Sequence, residues 1–93
     1  VGEVIASERV EKSSKLLKNT VKIGDETRTI LSGIAKYYTP EEMVGKRVVV
    51  FTNLKPRMMC GYESSGMILC AEKDGKVVLV SPEKAVESGA EVC

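Results

Sequence analysis

Three cysteines, Cys60, Cys70 and Cys93, are the only strong nucleophiles in this chain, and it contains no histidine. A thiol without an imidazole or another activating group nearby is a weak candidate for catalysis, and a structural or surface role suits each cysteine better. The cysteine count is odd and no CxxC pair occurs. A disulfide framework or zinc ribbon is therefore not expected, and three reduced thiols fit a cytosolic protein. The absence of histidine also removes the usual general base and most zinc sites. Glu41-Glu42 is a carboxylate pair by sequence, but adjacent residues on a helix do not face each other. Gly61 and Gly66 lack the Lys-Ser/Thr that a phosphate loop needs after them. The chain by itself is expected to be no enzyme and to need no cofactor or metal.

What remains is binding chemistry. Asn53 to Met67 combines one Pro and two Gly with Lys55, Arg57, three Met, Ser64, Ser65 and Tyr62. A connection this long in a small domain is uncommon unless it serves as a binding loop or rim. Lys12, Lys15 and Lys18 along the first loop and strand, Arg28 on a hairpin, and Lys55 and Arg57 on the rim could follow a phosphate backbone. Each could equally be a solvated surface charge, and that reading suits Lys12 and Arg28 best. Ser64 and Ser65 beside Gly66 could donate hydrogen bonds at close approach, or simply make a turn. Met67 could pack on a base or ribose, although a core position suits a methionine better. Aromatics are few: Tyr37, Tyr38, Phe51 and Tyr62. Single-strand binders stack bases on several aromatics, so an RNA ligand here would be recognised by its folded shape.

The 93 residues suffice for one small domain, and 43% apolar composition argues against a disordered tail. Net charge is only +1, so global charge does not select nucleic acid. Its distribution is more informative. Residues 1–71 carry eleven cations against eight acids, while residues 72–93 carry three against five. A mildly basic body with a mildly acidic end fits an anion-binding surface that leaves the end for another role. No apolar run approaches the ~18 residues of a membrane span, and no signal-peptide pattern occurs. The start at Val1 inside a strand-like run suggests a segment of a longer polypeptide.

The elements that position these residues are mostly strands. Val1–Ala6 suits a first strand, with Ser7–Ser14 a loop. Leu16–Ile23 and Thr27–Ser32 form a hairpin around Gly24-Asp25-Glu26. Thr39-Pro40-Glu41-Glu42 starts a short helix: Thr at the N-cap, Pro at N1, acids in the first turn, with Gly45 as its stop. Lys46–Thr52 reads as a central strand buried on both faces, and Met67–Ala71 as another buried strand. Asp74-Gly75 signals a tight turn into Val77–Val80, and Ser81-Pro82 ends that strand. Five strands with one helix between the third and fourth predict an all-β chain: an OB-fold five-stranded barrel over residues 1–71. An appended C-terminal β-hairpin and extension follow over residues 72–93, with a second copy of the chain as a simple partner for its exposed groups.

Ile30-Leu31-Ser32-Gly33-Ile34-Ala35-Lys36-Tyr37-Tyr38-Thr39-Pro40-Glu41-Glu42-Met43, Gly45-Lys46, Asn53-Leu54-Lys55-Pro56-Arg57 and Gly61-Tyr62-Glu63-Ser64-Ser65-Gly66-Met67 together resemble the tRNA-binding domain family. That family includes free-standing dimeric tRNA-binding proteins, the EMAP-II-like cytokine domain and the C-terminal domain of many methionyl-tRNA synthetases. The ending, with Asp74-Gly75 and Gly89-Ala90-Glu91-Val92, is most similar to the bacterial synthetase domain. The resemblance implies an OB-fold that binds tRNA with little sequence preference and raises affinity for a methionine–tRNA ligase region on the same polypeptide. It also implies a homodimer formed through the C-terminal segment. By the same resemblance Ser64, Met67 and either Lys15 or Lys18 belong to the tRNA-contacting surface. Two departures stand out. The family's His-Pro-x-Ala-Asp-Lys-Leu run is Val10-Glu11-Lys12-Ser13-Ser14-Lys15-Leu16 here, and its Gln or Glu before the motif glycine is Ser65. A dimerisation module with an incidental basic face, and a peptide-binding chaperone of the same fold, are the alternatives.

Overall fold

Strict alternation in Leu17–Ile23 (β2) organises the first sheet: Leu17, Asn19 and Val21 are buried, and Lys18, Thr20 and Lys22 are not. The computed structural model describes residues 1–93. β2 is flanked by Gly2–Arg9 (β1) and Glu26–Ser32 (β3), both antiparallel to it. The expected hairpin joins β2 to β3, but Gly24 and Asp25 alone make its turn, and Glu26 already pairs with Ile23. β1 is longer than its sequence suggests. Ser7, Glu8 and Arg9 pair with Asn19, Lys18 and Leu17, and the Ser7 hydroxyl donates to Asn19 Oδ1 at 2.8 Å. Polar residues at the solvated end of a strand give no alternation signal, so this stretch reads as a loop.

The helix forms where its capping residues require. Pro40–Met43 (α1) begins at Thr39, whose hydroxyl accepts from the Glu42 amide, while the Glu42 carboxylate accepts from the Thr39 amide. Its buried Met43 plugs the sheet. The chain then re-enters the sheet at Arg47–Val48 (β4), paired with β1, giving the strand order β3-β2-β1-β4.

The expected single strand Lys46–Thr52 is divided at Val49. β4 stays with β1, whereas Val50–Phe51 (β5) pairs with Met67–Ile68 (β8). Val48 is fully buried and Phe51 is half exposed, so the segment is not central along its whole length. An unbroken apolar run carries no mark of where a chain changes partners. The strand expected over residues 67–71 is divided likewise at Leu69, whose amide donates to Val49 O at 2.9 Å. The outcome is a curled, antiparallel, nearly all-β chain with one short helix.

Two further hairpins complete it. Arg57–Met59 (β6) and Tyr62–Ser64 (β7) turn through Cys60-Gly61, both with positive φ, inside the stretch read as a loop. Cys70–Lys73 (β9) and Lys76–Leu79 (β10) turn through Asp74-Gly75 as expected. Val4, Leu17, Val21, Ile30, Ile34, Met43, Val48, Ile68 and Leu79 form the core. Burying a large side chain of this kind contributes about 1.5–3 kcal/mol. Leu79 ties the C-terminal segment to that core, and its amide donates to the Tyr38 hydroxyl at 3.0 Å. The tail then returns across the chain start. Gly89 N donates to Val1 O, Val1 N donates to Ala90 O, both at 2.7 Å, and Arg47 donates to Val86 O.

Candidate nucleic-acid interface

β6 and β7 stand on the far side of β3 from β2, and they carry the richest cluster of candidate residues. Leu31, Leu54, Lys55, Arg57, Met59, Ser64, Gly66 and Met67 line a groove of about 370 Å³. Its apolar floor is rimmed by two cations. Alternation in β6 puts Arg57 and Met59 on the groove side and leaves Met58 pointing away, 67% exposed. Arg57 therefore lies in a strand, not in a rim loop, but it is solvent-exposed there. Met67 is half exposed, so the core position that its residue type suggests is wrong, and an apolar contact with a ligand is open to it.

Gly66, which lines this groove, passes close against β5. Its φ is 153°, and a Cβ there would meet Phe51 O at 2.9 Å and Ile30 Cδ1 at 3.3 Å. Only glycine lets the chain pass so close to β5.

The other candidates separate into three kinds. Lys12 and Lys15 are exposed in the β1–β2 connection. Lys12 shares a small recess with Cys60, Gly61 and Tyr62, which brings the first loop beside the β6–β7 turn. Lys18 is half-buried and engaged: its Nζ lies 3.0 Å from Glu8 and 4.4 Å from the Tyr62 ring centroid. Arg28 and Ser64 face inward to protein groups. The Arg28 guanidinium donates to Glu26 Oε1 at 2.9 Å, Thr52 O at 3.2 Å and Ser65 O at 3.1 Å, so it is not a solvated charge. Ser64 is 4% exposed, and its hydroxyl accepts from Leu31 N at 3.0 Å and donates to Gly66 O at 3.2 Å. Both of its hydrogen-bonding roles are thus filled within the protein. Ser65 is half-buried, and its amide donates to Thr29 O at 2.8 Å.

Leu54 and Met59 also belong to the groove, although residue type alone does not single them out. The Arg57/Met59 spacing of two carries the signal for Met59, but only once β6 is read as a strand. No group of three or more His, Cys, Asp or Glu side chains stands together. Cys70 does not line the groove, and burial raises the pKa of its thiol. What the groove offers is two cations for an anionic chain beside apolar side chains for a base or sugar.

Comparison with known proteins points the same way. The family described as "Putative tRNA binding domain" matches residues 1–91. The methionine–tRNA ligase of Archaeoglobus fulgidus is 60% identical over 93 residues, covering 100% of this chain and 14% of the ligase. The chain thus spans about a seventh of the length of that relative. Among solved structures, a MetRS-related protein from Pyrococcus horikoshii superposes with a TM-score of 0.92 at 42% identity, covering 99% of this chain and 85% of that one. The chaperone CsaA from Bacillus anthracis superposes with a TM-score of 0.89 at 23% identity, covering 99% and 86%, a likeness of fold alone.

Proposed function

Because this chain belongs to the tRNA binding domain family, we propose that it binds tRNA through the β6–β7 face, with Lys55, Arg57 and Met67 as direct contacts. The observation that carries this reading is their convergence on one groove. Lys12 and Lys15 extend the cationic surface past the hairpin turn and reach phosphates further along the RNA. Arg28 and Ser64 act from behind. No aromatic side chain lines the groove and Lys18 stands over the Tyr62 ring, so base stacking has little part there and recognition rests on the shape of a folded RNA. The domain needs no cofactor for this.

The ligase relatives support a second part of the reading. The domain is an appendix of a methionyl-tRNA synthetase, cytoplasmic, and raises tRNA affinity for a catalytic region on the same polypeptide. A salt titration of tRNA binding tests the core of this. Several phosphate contacts make affinity fall linearly on a log–log scale with salt. No binding at low salt by the folded chain would remove the reading.

Homodimerisation is a compatible second role. Val50, Phe51, Leu69 and Val92 line an apolar groove of about 480 Å³ between β5 and the tail. Light scattering that finds only monomer at high micromolar concentration would count against it. Peptide binding without tRNA binding would instead favour a chaperone role.

A further inference from the structure

Arg28 lies on β3, yet its hydrogen bonds reach carbonyls 24 and 37 residues further along the chain, Thr52 O and Ser65 O. These two carbonyls stand at the ends of residues 53–64, the segment that carries Leu54, Lys55, Arg57 and Met59 into the groove. A single nitrogen, Nη1, donates to both, and Nε donates to Glu26, which orients the guanidinium plane. The side chain is only 29% exposed and does not line the groove. Without it, the neck of the segment is held on the Ser65 side by the Leu31 N to Ser64 Oγ and Ser65 N to Thr29 O bonds, and on the Thr52 side by only the short Phe51–Met67 pairing.

From this geometry we infer that Arg28 is a positioning residue for the ligand groove. It clamps the neck of residues 53–64, so that Lys55, Arg57 and Met67 are held in the binding arrangement before ligand arrives, and it touches no ligand itself. The inference rests on the tRNA reading above and deepens it. Fixing a loop beforehand removes an ordering cost that binding would otherwise meet. The arginine fork suits this clamp. Its planar donors serve three acceptors at once, whereas a lysine ammonium on a flexible stem keeps the charge and loses the fork.

The test compares Arg28→Lys, Arg28→Ala and Lys55→Ala in tRNA binding at several salt concentrations, with amide hydrogen exchange on the same proteins. Both Arg28 variants should weaken binding about tenfold, the order expected for losing a charge-assisted hydrogen bond. Their salt slope should match that of the parent chain. Lys55→Ala should lower the slope by about one, as a phosphate contact does. Exchange at Ser65 N should accelerate in both Arg28 variants, while Leu69 N, bonded to Val49 O, stays as in the parent. Parent-like affinity in a folded Arg28→Lys protein would overturn the inference. So would a slope lowered by one in Arg28→Ala with binding retained in Arg28→Lys, since that is the mark of a phosphate contact. If the parent chain itself binds no tRNA, the tRNA reading falls separately. The exchange arm then decides alone, and unchanged Ser65 exchange overturns the clamp. Should Arg28→Ala not fold, Arg28→Lys carries every comparison.

Discussion

The Ser64 hydroxyl accepts a hydrogen bond from the Leu31 backbone amide at 3.0 Å, and Ser64 is 4% exposed. This serine is one that family resemblance assigns to the ligand surface. From its place inside the protein it acts differently. It fastens the end of β7 to β3 and holds the approach to Gly66.

Ser64→Ala leaves the Leu31 amide without its partner in a buried setting. Equilibrium unfolding should therefore show a loss of about 1–3 kcal/mol. Met67→Ala removes a half-exposed side chain and should stay within about 0.5 kcal/mol of the parent. Its tRNA affinity should nevertheless fall. Equal stabilities for the two variants would contradict the structure.

Charge reversal at Arg57 (Arg57→Glu) should weaken tRNA binding and leave the fold intact, because Arg57 is exposed although it begins β6. Circular dichroism checks the fold, and a binding isotherm at fixed salt checks the affinity. Parent-like affinity would remove the β6 face from the binding surface.

The three thiols should differ in reactivity. Cys60 and Cys93 are exposed; Cys70 is half-buried, and burial disfavours its thiolate and raises its pKa. The thiolate is the reactive form. Alkylation at mildly alkaline pH, followed by mass spectrometry, should label Cys60 and Cys93 first and Cys70 last. Raising the pH should narrow the gap as the Cys70 thiolate becomes populated. Bound tRNA should slow labelling of Cys60, which shares a recess with Lys12, and not of Cys93.

Gly89→Ala should loosen the C-terminal tail. Gly89 has a φ of 93°, and a Cβ there would lie 3.0 Å from both the N and Cα of Gly24. A backbone-to-backbone approach cannot absorb a methyl group, and the conformation itself disfavours one. Limited proteolysis should cut the tail faster than in the parent, with the core cleaved only later.

How much is legible in the sequence follows the range of each interaction. The helix start at Thr39-Pro40-Glu41-Glu42 is readable because a capping box is complete within four residues. The Asp74-Gly75 turn is readable for the same reason. Cys60-Gly61 makes a comparable turn but lacks the usual Asn or Asp, so its hairpin passes for a loop, and Met59 goes without a role. Lys55, Arg57 and Met67 stand out through residue type, and the structure brings them together. Arg28 and Ser64 stand out too, but as surface groups. Their partners lie 24, 37 and 33 residues away, beyond what local pattern can express.

The docking of β7 on β3 also protects an edge. β3 is the last strand of its sheet, and a bare terminal strand is a template on which another chain can add. Here the Ser64 hydroxyl takes up the Leu31 amide, and the Ser65 amide takes up Thr29 O. The element that presents the groove therefore also shields the sheet from aggregation. Variants that detach it risk forming insoluble assemblies as well as losing their ligand.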